Sequence, residues 1–250
     1  MLNIVVPMAG RGSRFANEGY KLPKPLIDVN GKHMIEVVIN NLKPFCEHRF
    51  IFVCQNEHLE KYNLEQIFSK SCDNYVIVGI DGITEGAAIT VLKAREYFDS
   101  EEPLMIANSD QWVDLDINTY LNDINERNLS GSMLTMKAND PKWSYAKIGN
   151  EGYVLEVVEK QVISDEATVG IYNFSNGNDF CRFADYMVEN QIKSNGEYYV
   201  APVYTFMANA EHNIGIYNIG SDTQGMYGLG IPADLERFKK LDVSKKATNF

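Results

Sequence analysis

Residues Asn3-Ile4-Val5-Val6-Pro7 read as a short buried strand. They run into Met8-Ala9-Gly10-Arg11-Gly12-Ser13-Arg14-Phe15, then Lys21-Leu22-Pro23-Lys24-Pro25-Leu26-Ile27. A glycine loop directly after a first strand is a place to hold phosphate, because glycines let backbone N–H groups approach an anion closely. Arg11, Arg14, Lys21 and Lys24 add dense positive charge there, in a chain whose formal net charge is −11. An acidic protein that gathers cations at the tip of its first strand is expected to bind a polyphosphate at that tip.

Two familiar phosphate loops do not match. A dinucleotide fingerprint needs a third glycine where the next helix packs on the strand. That position is Phe15, and Pro23 and Pro25 interrupt the segment where the crossover helix would run. Asp28 falls near the place of a ribose-binding acid, but without the helix its spacing means little. A Walker loop needs Gly-Lys-Ser/Thr opening a helix, which is absent. What remains is a long, irregular, cationic loop stiffened by two prolines.

Outward from the loop, strand and helix patterns alternate. Met34 to Leu42 has helical periodicity, Arg49 to Val53 is an apolar strand, and His58 to Phe68 reads as a helix. Tyr75 to Gly79 is a strand, Ala87 to Phe98 a helix, and Leu104 to Ala107 another buried strand. Strands apolar on both faces, alternating with helices, predict an α/β fold: a mainly parallel, mixed central sheet with helices on both faces. Ligands on such sheets sit beyond the carboxyl ends of the strands. After about residue 130 the pattern turns mixed and partly antiparallel. Gly131 to Lys137 alternates, Tyr145–Ile148 and Tyr153–Val158 flank a turn, Ala167 to Phe174 is a strand, Asn178 to Gln191 a helix and His212 to Gly220 a late strand. No linker separates the halves. The expectation is one domain over 1–241, with a nucleotide-binding half to about 130, an acceptor-binding half to 241, and a frayed tail over 242–250.

Composition narrows the function classes. With 45% hydrophobic and 11% aromatic residues the chain has a real core. The acidic balance, with no basic stripe outside the first loop, argues against nucleic acid and anionic membranes. No apolar run approaches the roughly 20 residues of a membrane span. Met1 leads almost directly into a strand, so no signal peptide and a cytoplasmic location are expected. Cys46, Cys54, Cys72 and Cys181 lack C-x-x-C spacing, and the four histidines are scattered.

G-x-G-x-R-F followed by L-P-K-P-L-I resembles the signature of the sugar-phosphate nucleotidyltransferases, which make nucleotide sugars and related activated compounds. The first half of the chain reads in that register, and a weaker match continues to about residue 240. The resemblance implies the family's Rossmann-like fold, and Mg2+ as cofactor. It also implies an NTP and a phosphorylated small-molecule acceptor as partners, compatible with a homo-oligomer and with precursor supply for surface polysaccharide.

Carried over residue by residue, the resemblance implies specific roles. Ala9, Gly10, Arg11, Gly12 and Ser13 would cradle the triphosphate, with Arg14 and Lys24 as catalytic cations. Asn108-Ser109-Asp110 follows a buried strand, and Asp110 matches the magnesium aspartate; read alone, Asp110 could equally open a turn. Glu85, Gly86 and Ala87, with Ser109, would contact the nucleotide, although Thr84 also suits a helix cap. Glu159 and Lys160 would bind the acceptor, or form a solvated pair at a strand end; Gly170 and Glu197 match pocket positions. One departure stands out. Gly228-Leu229-Gly230-Ile231-Pro232-Ala233-Asp234-Leu235 resembles the family's closing motif, but its first position, a second magnesium aspartate in many members, is Gly228. Either magnesium has fewer protein ligands, or Asp222 or Asp234 compensates; a single-carboxylate site, with Asp222 and Asp234 of minor weight, is the expectation. Two alternatives stay open: a metal-dependent glycosyltransferase, which usually carries Asp-x-Asp, and a nucleotide-binding protein without turnover.

Overall fold

The computed structural model describes residues 1–250. Its strands are β1 (Leu2–Pro7), β2 (Asp28–Val29), β3 (Lys32–His33), β4 (His48–Gln55), β5 (Tyr75–Ile80), β6 (Leu104–Ala107), β7 (Gln111–Val113), β8 (Gly131–Lys137), β9 (Ser144–Ile148), β10 (Val154–Glu159), β11 (Glu166–Phe174), β12 (Ile214–Asp222) and β13 (Gly225–Gly228). β2 and β3 form a small hairpin. The rest join one sheet in the order β5-β4-β1-β6-β11-β8-β12-β13-β7, with β9 paired to β11 and β10. β5, β4, β1 and β6 run parallel, with Ile4 opposite Phe50 and Met105. β11 enters antiparallel between β6 and β8. β7 lies far from its sequence neighbours, closing the opposite edge against β13.

Both sheet faces are covered, which is why the parallel strands are apolar throughout. Ile4, Val6, Phe50 and Phe52 enter one core with the helix Met34–Leu42. Val5, Ile51 and Val53 enter a second core with Phe98, Phe180 and Tyr204. A third, smaller cluster joins Phe15 and Ile27 of the cationic loop to Trp112, Tyr227, Leu229, Leu235, Phe238 and Ala247.

Three segments differ from the sequence expectation. The span 58–68 is parts of two helices, Asn56–Tyr62 and Leu64–Ser71, separated by Asn63 at φ 49°, a left-handed turn that asparagine tolerates. The span 87–98 is an α-helix over Ala87–Leu92 and a 3-10 turn over Arg95–Tyr97. Residues 242–250 do not fray. They hold the helix Val243–Thr248, with Ser244 and Ala247 each 1% exposed and Asn30 Nδ2 donating to Ser244 Oγ at 2.9 Å. The buried side chains there are small, so the segment carries almost no apolar periodicity to read.

Candidate active site

The glycine loop and the proline-bracketed lysine are packed on one another. Gly12 sits at φ 60° and opens the short helix Ser13–Asn17, whose first N–H groups have no helical carbonyl to meet. A Cβ on Gly12 would lie 3.3 Å from Lys24 Cβ. Glycine suits both the left-handed conformation and that tight contact. Pro23 is extended, with φ −60° and ψ 149°, and Lys24–Leu26 forms a 3-10 turn over buried Pro25 and Leu26. Phe15 and Ile27 anchor the loop from beneath.

Asp110 lies between β6 and β7, and its carboxylate accepts from Lys24 Nζ at 2.8 Å. Its main-chain oxygen accepts from Leu229 N at 2.8 Å, and Gln111 pairs with Gly228. The glycines of the closing motif therefore face Asp110. A Cβ on Gly230 would lie 2.5 Å from Asp110 Oδ2. Asp234, in the first turn of the helix Pro232–Lys239, presents Oδ2 3.6 Å from where a Cβ on Gly228 would be. Its other oxygen is held by Arg237 at 3.2 Å. Asp222 meets the same guanidinium at 3.1 Å but does not line the cleft.

A cleft of about 820 Å³ opens over these residues. Arg14, Asp110 and Asp234 line it, together with Glu159, Lys160, Trp143, Tyr172 and Tyr199. Gly170 lines the same cleft. It sits at φ 78° in a bulged stretch of β11, and its carbonyl accepts from Asn108 N at 2.9 Å and Gln111 Nε2 at 3.0 Å. Lys160 also sits in the left-handed region, at φ 56°, a conformation costing a lysine about 1 kcal/mol. Its Nζ donates to Tyr199 Oη at 2.8 Å, which raises the lysine's pKa. The Ser144 hydroxyl donates to Glu159 Oε2. Burial pushes the Glu159 pKa up, partly offset by Ser144 and by the charge of Lys160.

Of the residues singled out in the sequence, Arg14, Ala87, Asp110, Glu159, Lys160 and Gly170 share the cleft wall, and Lys24 reaches it through Asp110. Gly10 and Arg11 are exposed, and Ser109 and Ala9 are buried, the Ala9 carbonyl accepting from Gln55 Nε2 at 2.6 Å. Gly86, at φ 128°, packs on the Tyr198 main chain, where a Cβ would meet Tyr198 O at 2.4 Å. The Glu85 carboxylate pairs with Lys193. Glu197 is exposed and borders the Tyr199 hydroxyl; burial raises that phenol's pKa, the bond with Lys160 opposes the rise, and Glu197 adds to it. Trp143, Tyr172 and Gln111 were not singled out from sequence. Their signal was weak, since Tyr172 lies in a strand buried along its whole length.

The donor set suits a hard cation. Asp110 Oδ2 and the Arg237-free oxygen of Asp234 are carboxylate oxygens beside glycines that leave space between strand and helix. Nowhere do three or more His, Cys, Asp or Glu side chains converge to hold a metal. Magnesium here would take its remaining ligands from phosphate and water, as it usually does.

The solved structure of a nucleoside-diphosphate-sugar pyrophosphorylase from Vibrio cholerae RC9 superposes with a TM-score of 0.79 at 23% identity, covering 95% of this chain and 100% of that one. The inositol-1-phosphate CTP transferase of T. maritima gives a TM-score of 0.73 at 14% identity, over 99% and 94%. Among curated proteins, the bifunctional protein GlmU of Lactobacillus gasseri is 25% identical over 224 residues, 86% of this chain and 46% of the relative. The chain thus spans about half the length of such relatives. A 2-aminoethylphosphonate cytidylyltransferase of Lancefieldella rimae is 36% identical over 88 residues, 27% of this chain and 36% of that protein. No helix is long and apolar enough to cross a membrane. The nucleotidyl transferase family model matches residues 4–202, from β1 through the cleft's far wall, and the chain belongs to that family.

Proposed function

We propose that the protein transfers a nucleotidyl group from an NTP to a small phosphorylated acceptor, releasing pyrophosphate and supplying an activated precursor for surface polysaccharide. The observation that carries this is the meeting in one cleft of Arg14 and Asp110, the partner of Lys24, with Glu159 and Lys160. The bond formed joins an acceptor phosphate oxygen to the α-phosphorus; the bond broken joins that phosphorus to the bridging oxygen of pyrophosphate. A phosphate monoester is already a nucleophile, so no general base is required. Catalysis is positioning and charge neutralisation. Arg14 faces the departing pyrophosphate, Lys24 bridges the α-phosphate and the incoming phosphate, and Lys160 with Glu159 orients the acceptor. Mg2+, when bound at Asp110, supplies charge neutralisation on the triphosphate.

The short match to a cytidylyltransferase acting on a phosphonate favours CTP, and an acceptor smaller than a hexose phosphate. The test is a pyrophosphate-release matrix of the four NTPs against phosphorylated sugars, polyols and amino alcohols. Release of pyrophosphate with one pair supports the reading. Release of a nucleoside diphosphate from a nucleotide sugar would show a glycosyltransferase instead, which the single Asp of Asn108-Ser109-Asp110 argues against.

A further inference from the structure

Glu159 and Lys160 are consecutive, carry opposite charges and line one cleft. Opposite charges on neighbouring residues attract, yet these two do not bond. Lys160 Nζ donates to the Tyr199 hydroxyl at 2.8 Å, and Glu159 and Glu197 act on it only through their charges. The Glu159 carboxylate takes its hydrogen bond from the Ser144 hydroxyl instead. Something holds the lysine off the acid.

The lysine is fixed at both ends. Its main-chain N–H donates to Trp143 O at 3.0 Å, where the backbone turns left-handed at φ 56°. Its ammonium is fixed by the Tyr199 phenol, whose own place is set by the residue before it. Tyr198 is buried; its N–H donates to Glu85 O at 2.8 Å, and its carbonyl accepts from Ala88 N at 3.0 Å. Gly86 packs on this main chain with no room for a side chain. The phenol thus hangs from a backbone locked to residues 85–88, where the helix Ala87–Leu92 begins. A phenol also suits the task chemically. Burial keeps it protonated at neutral pH, so it accepts the charged hydrogen bond without cancelling the charge, as a carboxylate would.

We infer that Tyr199 is a positioning residue: its hydroxyl holds the Lys160 ammonium off Glu159, so that a cation and an anion both stay open to one acceptor. This rests on the reading of the wall around Glu159 and Lys160 as the place of the acceptor. An acceptor that uses both groups carries an anion for Lys160 and, apart from it, a hydrogen-bond donor or cation for Glu159.

Tyr199→Phe keeps the ring and removes the hydroxyl, and it gives two readouts. The first needs no turnover. Glutamate carboxyls of the full chain are labelled with carbon-13, the Glu159 resonance is assigned by its loss in Glu159→Gln, and its titration is followed by NMR. In Tyr199→Phe the released lysine closes on Glu159, and the titration midpoint should fall by about one pH unit or more, as an opposite charge in contact produces. Against a Lys160→Ala background the same substitution should leave the midpoint where it was. An unmoved midpoint in folded Tyr199→Phe overturns the inference, and so does an equal fall with and without Lys160. The second readout is kinetic, with the NTP and acceptor that release pyrophosphate. Tyr199→Phe should raise the acceptor KM at least about fivefold, in line with one charge-assisted hydrogen bond, with NTP affinity unchanged, and should add nothing once Lys160 is alanine. An equal rise in both backgrounds would show a packing role and overturn the inference. Tyr199→Leu, which also lacks the hydroxyl, takes both readouts if the phenylalanine variant does not fold. Pyrophosphate release with no pair would overturn the transferase reading, and the carboxyl titration would still judge Tyr199.

Discussion

The Lys24 ammonium lies 2.8 Å from Asp110 Oδ2, with the two side chains 23% and 26% exposed. Each is the other's counter-ion in a cleft that otherwise mixes both signs. A pair this accessible adds little to stability, about 1 kcal/mol at most. Its value is in placement: a cation and an anion are held in contact beside the space where phosphates are proposed to react.

Lys24→Ala is expected to lower turnover at least about 100-fold, in line with removing one electrostatic contact to a developing charge. The melting temperature should change little. Steady-state pyrophosphate release together with a thermal melt checks both, and near-normal turnover in the folded variant would remove Lys24 from the catalytic set. Arg14→Ala should show a similar loss and weaker triphosphate binding.

Lys160→Ala is expected to act on the acceptor side. Loss of a charged hydrogen bond of about 1.5–3 kcal/mol raises the acceptor KM roughly tenfold or more. NTP affinity, measured by calorimetry, should stay nearly unchanged. A collapse of NTP binding would contradict the acceptor role of Lys160.

Glu159 provides a stability test with a defined sign. Burial raises its pKa in the folded protein above the ordinary 4.5. A raised carboxyl pKa favours the fold below 4.5, and that advantage disappears as pH rises through the folded pKa. At neutral pH the ionised, half-buried group therefore costs stability. Glu159→Gln should melt higher than wild type at pH 7, with the difference shrinking as pH falls through the raised folded pKa and gone below about 4.5, while acceptor KM worsens. Melting curves across pH with an equal difference everywhere would show that the burial cost is not electrostatic.

Gly170→Ala should be among the most damaging conservative changes. The added methyl would meet Asn108 Nδ2 at 2.2 Å and Gln111 Oε1 at 2.6 Å, from a backbone at φ 78°. Strain and steric overlap together predict a loss of about 2 kcal/mol or more. Denaturant unfolding measures it, and a loss below about 0.5 kcal/mol would mean that Asn108 and Gln111 move aside freely.

The parts of the site legible in the sequence are those written contiguously. β1, the glycine loop and Lys24 are neighbours in the chain, and Asp110 directly follows a strand apolar on both faces. The wall around Glu159 and Lys160 was less legible. Thr168, Gly170 and Tyr172 reach the cleft from one face of β11, but every residue of that strand is buried, so no alternation marks which face is the site. Trp143 precedes β9 in a polar stretch that reads as loop. Asp234 carries minor weight in the sequence because its nearness to Gly228 exists only in space.

The third hydrophobic cluster has a consequence for how the protein is made. Phe15 and Ile27, beneath the cationic loop, share a core with Leu235, Phe238 and Ala247, and Asn30 bonds Ser244 across 214 positions. Contacts of such separation form late, because long loops must close before they are rewarded. The cationic loop therefore leaves the ribosome well before the residues that complete its floor, and is among the last parts to set. A nascent chain that has not yet released Leu235, Phe238 and Ala247 would carry the whole loop and still present it on an unfinished floor, so the nucleotide binding proposed for it should appear only once the residues around Ala247 have emerged.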